Sequence, residues 1–166
     1  MRRLGLLVVL AVMALSALPS TAAARAPGLA RVEGVGDVDV LAKRAQVFGE
    51  IEGGRVVWSG PAAAPRVVSC ADGAPLNRCA TRRKIRGTRT WEWTLKKPVR
   101  IFVLGRNYRL FVDDAARVSL SITGTASLAV EGTGTLALAG AEPIVYDAYT
   151  IVQVAPTRRV VPSQVP

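Results

Sequence analysis

From Val99 to Gly140 apolar residues alternate with small or polar ones almost without interruption, and glycines punctuate the run at short intervals. That two-residue rhythm predicts a β-meander. Val99, Ile101 and Val103 keep one phase, while Tyr108, Leu110 and Val112 keep the other. A type II′ turn at Gly105-Arg106 reconciles the two, since glycine tolerates the positive φ at its first central position. Val103 then faces Tyr108, Ile101 faces Leu110 and Val99 faces Val112, all six on one side of a hairpin. The other side would pair Arg100 with Phe111 and Phe102 with Arg109, two cation–π contacts.

Further along, Val118, Leu120, Ile122, Ala126, Leu128, Val130, Leu136 and Leu138 all occupy even positions. Their opposite face is Ser119, Ser121, Thr125, Ser127, Ala129, Thr135 and Ala137. A loop at Thr123-Gly124-Thr125 sets Leu120 opposite Leu128, and a turn at Gly132/Gly134 sets Leu128 opposite Leu138. Fully burying an aliphatic side chain stabilises by about 1.5 to 3 kcal/mol, so the apolar face requires a cover. Three or four short strands predicted within Pro27 to Trp58, punctuated by Gly34, Gly36, Gly49 and Gly53-Gly54, supply it. The small-residue face and its single charge, Glu131, admit self-association through an edge strand between Ser119 and Ala141.

The remaining segments frame this core. Ser59 to Ala80 holds three prolines and both cysteines and predicts a loop stapled by Cys70 and Cys79, worth about 2 to 3 kcal/mol. Ile144, Val145, Tyr146, Tyr149, Ile151, Val152 and Val154 predict one or two closing strands, and residues 155–166 an extended, proline-containing tail. The expected fold is all-β, an antiparallel β-sandwich or open barrel over residues 25–154, with a β-solenoid as the alternative.

Residues 1–24 alter the cellular setting. Arg2-Arg3, the apolar run Leu4 to Leu18 and Ala22-Ala23-Ala24 form a tripartite secretory signal. The run is shorter than the ~20 residues a helical membrane span needs, so cleavage without a remaining span is expected. Export brings an oxidising compartment, in which the two cysteines pair. Cleavage leaves 142 of 166 residues, and the loss of Arg2 and Arg3 from 22 basic residues leaves 20 against 12 acidic, near +8. Such a charge favours anionic partners, outside a cell the polymers of its wall, lipid headgroups or shed nucleic acid, and with the leader the expected protein is secreted or envelope-associated.

Two constellations could carry binding. Arg82, Lys84 and Arg86 share one side of an extended strand within a basic stretch that also holds Arg83 and Arg89, a candidate polyanion strip with no base-reading motif for specific nucleic acid. Trp91 and Trp93 share one side with Ile85 and Leu95, company that fits core packing; exposed, the two indoles would form a candidate glycan-stacking platform.

The chain contains no histidine, which excludes Ser-His-Asp and Cys-His catalysis and His-ligated zinc. Asp37, Asp39, Asp113 and Asp114 are local carboxylate pairs suited to turns, and the ligand ladder of a calcium loop is missing. No cofactor is predicted. The leading expectation is a non-catalytic interaction module contacting anionic wall polymers. A self-assembling structural β-protein is second and a carboxylate-based glycan hydrolase third.

Gly34-Val35-Gly36-Asp37-Val38-Asp39-Val40 and Val47-Phe48-Gly49-Glu50-Ile51-Glu52-Gly53-Gly54 resemble the Gly-and-Val rungs of bactofilin-type, polymer-forming β-solenoids. The resemblance implies stacked rungs for these two segments and carries no site residue.

Overall fold

The computed structural model describes residues 25–61 and 67–158; the predicted leader and residues 159–166 of the predicted tail lie outside the described residues. Ten strands follow in order: β1 (Arg25–Ala26), β2 (Leu29–Glu52), β3 (Arg55–Ser59), β4 (Val68–Cys70), β5 (Ala80–Lys84), β6 (Thr90–Leu95), β7 (Val99–Leu138), β8 (Ile144–Tyr146), β9 (Thr150–Val154) and β10 (Thr157–Arg158). Apart from the small β1–β10 pair, they form one open eight-stranded sheet, antiparallel throughout. The antiparallel sandwich expected from the alternation is the fold. The sheet does not close into a complete barrel, in keeping with the open form expected, and the solenoid alternative is corrected, because neither Gly-and-Val segment stacks as a parallel rung.

β2 and β7 are 24 and 40 residues long, and β7 lies against both edges of β2. On one edge the register runs from Leu29↔Thr123 to Ile51↔Val99; on the other it runs from Ala30↔Leu138 to Glu52↔Arg117. Residues 118–123 therefore sit between the two ends of β2, with Leu120 opposite Val32 on one side and Gly49 on the other. A sheet can meet itself in this way only by coiling. The strands switch layers at bends, and their inner faces enclose the core.

The corners follow from local chemistry. At one, Gly34 and Gly36 face Gly134 and Gly132. Gly36 and Gly132 have φ of +113° and +121°, and a Cβ on Gly36 would overlap the carbonyl oxygen of Glu131. Only glycine lets the two backbones turn so closely together. Elsewhere the bends use bulges: Asn107 and Asp114 take φ of 52° and 54°, and each coincides with a change in which residues point inward. Asp114 is held there by its own N–H, which donates to Asp37 Oδ1 at 2.7 Å.

These bulges overturn the predicted hairpin. Val99, Ile101, Val103, Tyr108, Leu110 and Val112 are all buried, but the chain does not reverse at Gly105-Arg106. It continues as β7, and the six residues pair with β2 or its neighbours; Val103 lies opposite Val47 and Tyr108 opposite Ala42. Phe102 consequently faces Phe48, while Arg109 stacks on Phe111 of its own strand at 5.6 Å, so the predicted cross-strand cation–π pairs do not form. The loops proposed at Thr123-Gly124-Thr125 and Gly132/Gly134 are likewise bends, and Leu128 faces Val40 and Val152. Ser119 to Leu136 lies inside the sheet, flanked by β2 and then by β9 and β8, so it offers no edge strand.

The coil has two lateral ends. At one, β4 pairs with residues 99–101 of β7, while β5 and β6 extend the other layer from β3. Cys70 in β4 and Cys79 before β5 form a disulfide, Cα–Cα 5.6 Å, that ties the two layers together. The loop between them is further fixed where Lys96 and Lys97 N–H groups both donate to the Cys79 carbonyl. Trp58 and Trp93 fill the core near this end, 3 % and 1 % exposed, with indole N–H groups that find no protein acceptor. Each orphan costs about 1 to 3 kcal/mol, a cost offset by the 150–250 Å² or so that a tryptophan buries. At the other end β8 and β9 pair only with β7 among the described residues.

Two stability outcomes follow. Replacing both cysteines by alanine should lower unfolding free energy by about 2 to 5 kcal/mol in urea titrations, and reductant should have no further effect on that variant. Gly36→Ala should cost about 2 to 4 kcal/mol by the same measurement, because the added Cβ collides with backbone that the facing strand cannot withdraw.

Candidate polyanion-binding edge

β5 is a terminal strand of the sheet, and its pairing with β6 decides which way its cations face. Ala80 lies opposite Leu95, Arg82 opposite Trp93 and Lys84 opposite Trp91. Because Leu95 and Trp93 point into the core, Arg82 and Lys84 stand on the inward side, where the core runs out to solvent. There both lie over the half-buried ring of Trp91, at 4.8 Å for the Arg82 guanidinium carbon and 5.8 Å for Lys84 Nζ. The tryptophan face attracts both cations by about 0.5 to 1 kcal/mol each at an exposed site.

Arg83, one residue out of phase, points to the opposite side and pairs with Glu92 at 3.0 Å. Arg82 and Lys84 have no carboxylate within ion-pair distance among the described residues. Arg86 does not join them. β5 ends at Lys84, and Arg86 sits in the β5–β6 turn, which is closed by Ile85 N–H to Thr90 O at 3.0 Å and by Gly87 at φ +74°. The predicted three-residue strip is therefore a pair, Arg82 and Lys84, with Arg86 and Arg89 as exposed cations at the turn. Between Arg78 and Lys97 there are eight cations against the single acid Glu92.

The two tryptophans part company. Trp93 is buried and presents no face to a ligand, whereas Trp91 keeps partial exposure beneath its two cations. Ile85, expected beside them, is exposed at the strand end. Reading basic strip and tryptophans as separate features misses their union. The signal was present in the order of residues, since a turn centred on Gly87-Thr88 places Lys84 opposite Trp91.

Three of the four carboxylates singled out in the sequence have structural partners for their side chains, and Asp114 contributes its backbone N–H. Asp39 receives two bonds from Arg109, at 2.9 and 2.7 Å; Asp113 pairs with Arg55; Asp37 accepts from the Asp114 backbone. No group of three or more Cys, Asp or Glu side chains among the described residues is arranged to hold a metal ion. The clearest electrostatic displacement is remote from this edge: burial pushes the Tyr108 phenol up, and its hydroxyl donates to the Ala45 carbonyl at 3.2 Å. No helix among the described residues is long and apolar enough to cross a membrane.

Comparison of the chain with protein-family models, curated proteins and solved structures yields no match.

The Asp37 contact has a measurable consequence. Asp37→Ala should lower stability by about 1 to 3 kcal/mol in urea unfolding, because the Asp114 amide loses a charged acceptor at a bulge with positive φ.

Proposed function

We propose that the protein is an exported, non-catalytic interaction module that holds anionic cell-wall polymers along β5 and the β5–β6 turn. The observation that carries the reading is the stacking of Arg82 and Lys84, neither neutralised by a carboxylate, on the exposed part of Trp91. The ring restricts where the two cationic heads can go before a ligand arrives, which reduces the entropy lost on binding. The surrounding cations from Arg78 to Lys97 extend the positive field beyond the two stacked groups.

A polymer with repeating phosphate or carboxylate groups suits such an edge, since it meets several cations at once and releases their counterions. Binding of this kind weakens steeply with salt. The strip has no groove-entering element with base-reading side chains, so the reading is of polyanion recognition and not of sequence-specific nucleic-acid binding. Export and envelope residence rest on the tripartite leader.

The test is retention on purified cell-wall material. The processed protein should be retained at low salt and released at high salt, and wall material stripped of anionic polymers should not hold it. Arg82→Ala with Lys84→Ala should weaken retention about thirtyfold, at roughly 1 kcal/mol per cation near an anionic surface. Arg83→Ala, which removes a cation already paired with Glu92, should have a smaller effect. Equal retention of the double variant and the parent protein would overturn the proposal.

A further inference from the structure

We infer that β9 is an interface for a second copy of this chain, joined as an antiparallel β9–β9 pair about a two-fold axis. The starting observation is a difference between two of the terminal strands of one sheet, one at each of its lateral ends. β5 carries Arg82, Arg83 and Lys84 in succession, whereas β9, Thr150-Ile151-Val152-Gln153-Val154, carries no charge. A strand at a sheet edge presents unpaired N–H and C=O groups, and charge is the usual protection against recruiting another strand. β9 lacks that protection.

The apolar surface around β9 points the same way. Val145 is 78 % exposed, Tyr149 61 % and Ile151 56 %, all within β8, β9 and the connection between them. Val152 packs against the core but remains incompletely covered, at the end of the sandwich that has no counterpart of the disulfide loop. An added strand would satisfy the backbone groups on the side of β9 that has no strand beside it among the described residues, and would cover this side chain together with them.

Charge selects a second β9 as the occupant. In a pair centred on Val152, each Thr150 faces Val154 of the other copy and each Ile151 faces Gln153. No like charges meet, and β-branched residues line the seam. A β5–β5 pair would instead set Arg82, Arg83 and Lys84 against the same three cations. Pairing β9 with the β5 of another copy would set three cations on an apolar strand and leave free edges at both ends. The two-fold arrangement uses each β9 once and closes at the dimer.

Analytical ultracentrifugation of the full-length chain, expressed with its own leader and purified as processed, tests this directly. The protein should show a concentration-dependent monomer–dimer equilibrium with no larger species. Ile151→Lys should raise the dissociation constant about tenfold or more, because the new charge enters the seam twice. Phe102→Lys, at another half-exposed apolar position outside β9, should leave the dimer intact. Hydrogen exchange of the unaltered protein supplies a readout that does not depend on any variant folding: amides within 150–154 should gain protection as concentration rises. A concentration-independent monomer, growth beyond the dimer, loss of the dimer in Phe102→Lys alone, or unchanged exchange across 150–154 would each overturn the inference. Wall retention plays no part in these outcomes, so they bear on the interface independently of polyanion binding.

Discussion

The structure depends on one backbone constraint: a 24-residue strand has both its edges satisfied by a single 40-residue strand. An extended chain in water gains little by ordering unless its N–H and C=O groups find partners. Here the partners of Leu29 to Glu52 come almost entirely from a segment some fifty residues further on, and hairpin closure contributes nothing to the central sheet. Coiling lets residues 118–123 serve both ends of β2. The same coiling turns every inward residue toward one interior, which explains why Val32, Val47, Leu110, Ile122 and Leu128 are buried although they come from distant parts of the chain. The penalty is kinetic, since loop closure over so many residues precedes any gain from pairing, and such topologies fold slowly.

The corners make that constraint affordable. Gly36 and Gly132 face each other where both strands turn, and each occupies backbone space that a side chain on the other would need. At the bulges, Asn107 and Asp114 reach positive φ with side chains, which these short polar residues tolerate better than most. Asp37 secures one bulge through the Asp114 amide, and Asp39 ties β2 to β7 through Arg109 across the outer face. Both contacts join residues far apart in sequence. The carboxylates thus work where the sheet must bend or register must hold, in positions that leave them engaged with backbone and arginine.

How far the fold is legible in the sequence follows from the same geometry. Alternation reports which face a residue occupies, and the inward set from Val118 to Leu136 reads correctly because no bulge interrupts its even phase. Alternation does not report the partner strand. A change of phase between Val103 and Tyr108 has two solutions, a reversal or a bulge, and both bury the same six side chains. Gly105 suggested reversal, while Asn107, two residues on, carries the positive φ and lets the strand continue. Gly34 and Gly36 likewise read as punctuation between short strands, because nothing local reveals that Gly134 and Gly132 lie opposite. The candidate edge was legible in its residue types but not its membership: Arg82, Lys84 and Trp91 meet through strand pairing, and Arg86 leaves the face because β5 ends before it.

A coiled sheet that does not close must also terminate, and the two ends of this one are terminated by different chemistry. The β4–β5 end is covalent and charged: the Cys70–Cys79 bond joins the layers, and Arg82 and Lys84 cover the Trp91 face where the apolar interior meets water. What matters there is the phase of the charges more than their number. Arg83 differs from its neighbours by one position, yet it spends its charge on Glu92 at the outer surface, where a solvent-exposed pair contributes at most about 1 kcal/mol. Its neighbours remain available on the inner side because β5 has the same two-residue period as every strand around it. The β8–β9 end has neither a disulfide nor a charged strand, and Val152 packs against the core there while remaining partly exposed. The asymmetry therefore lies in how each edge handles free backbone groups and the rim of the core, one by repelling strands and the other by presenting an uncharged template.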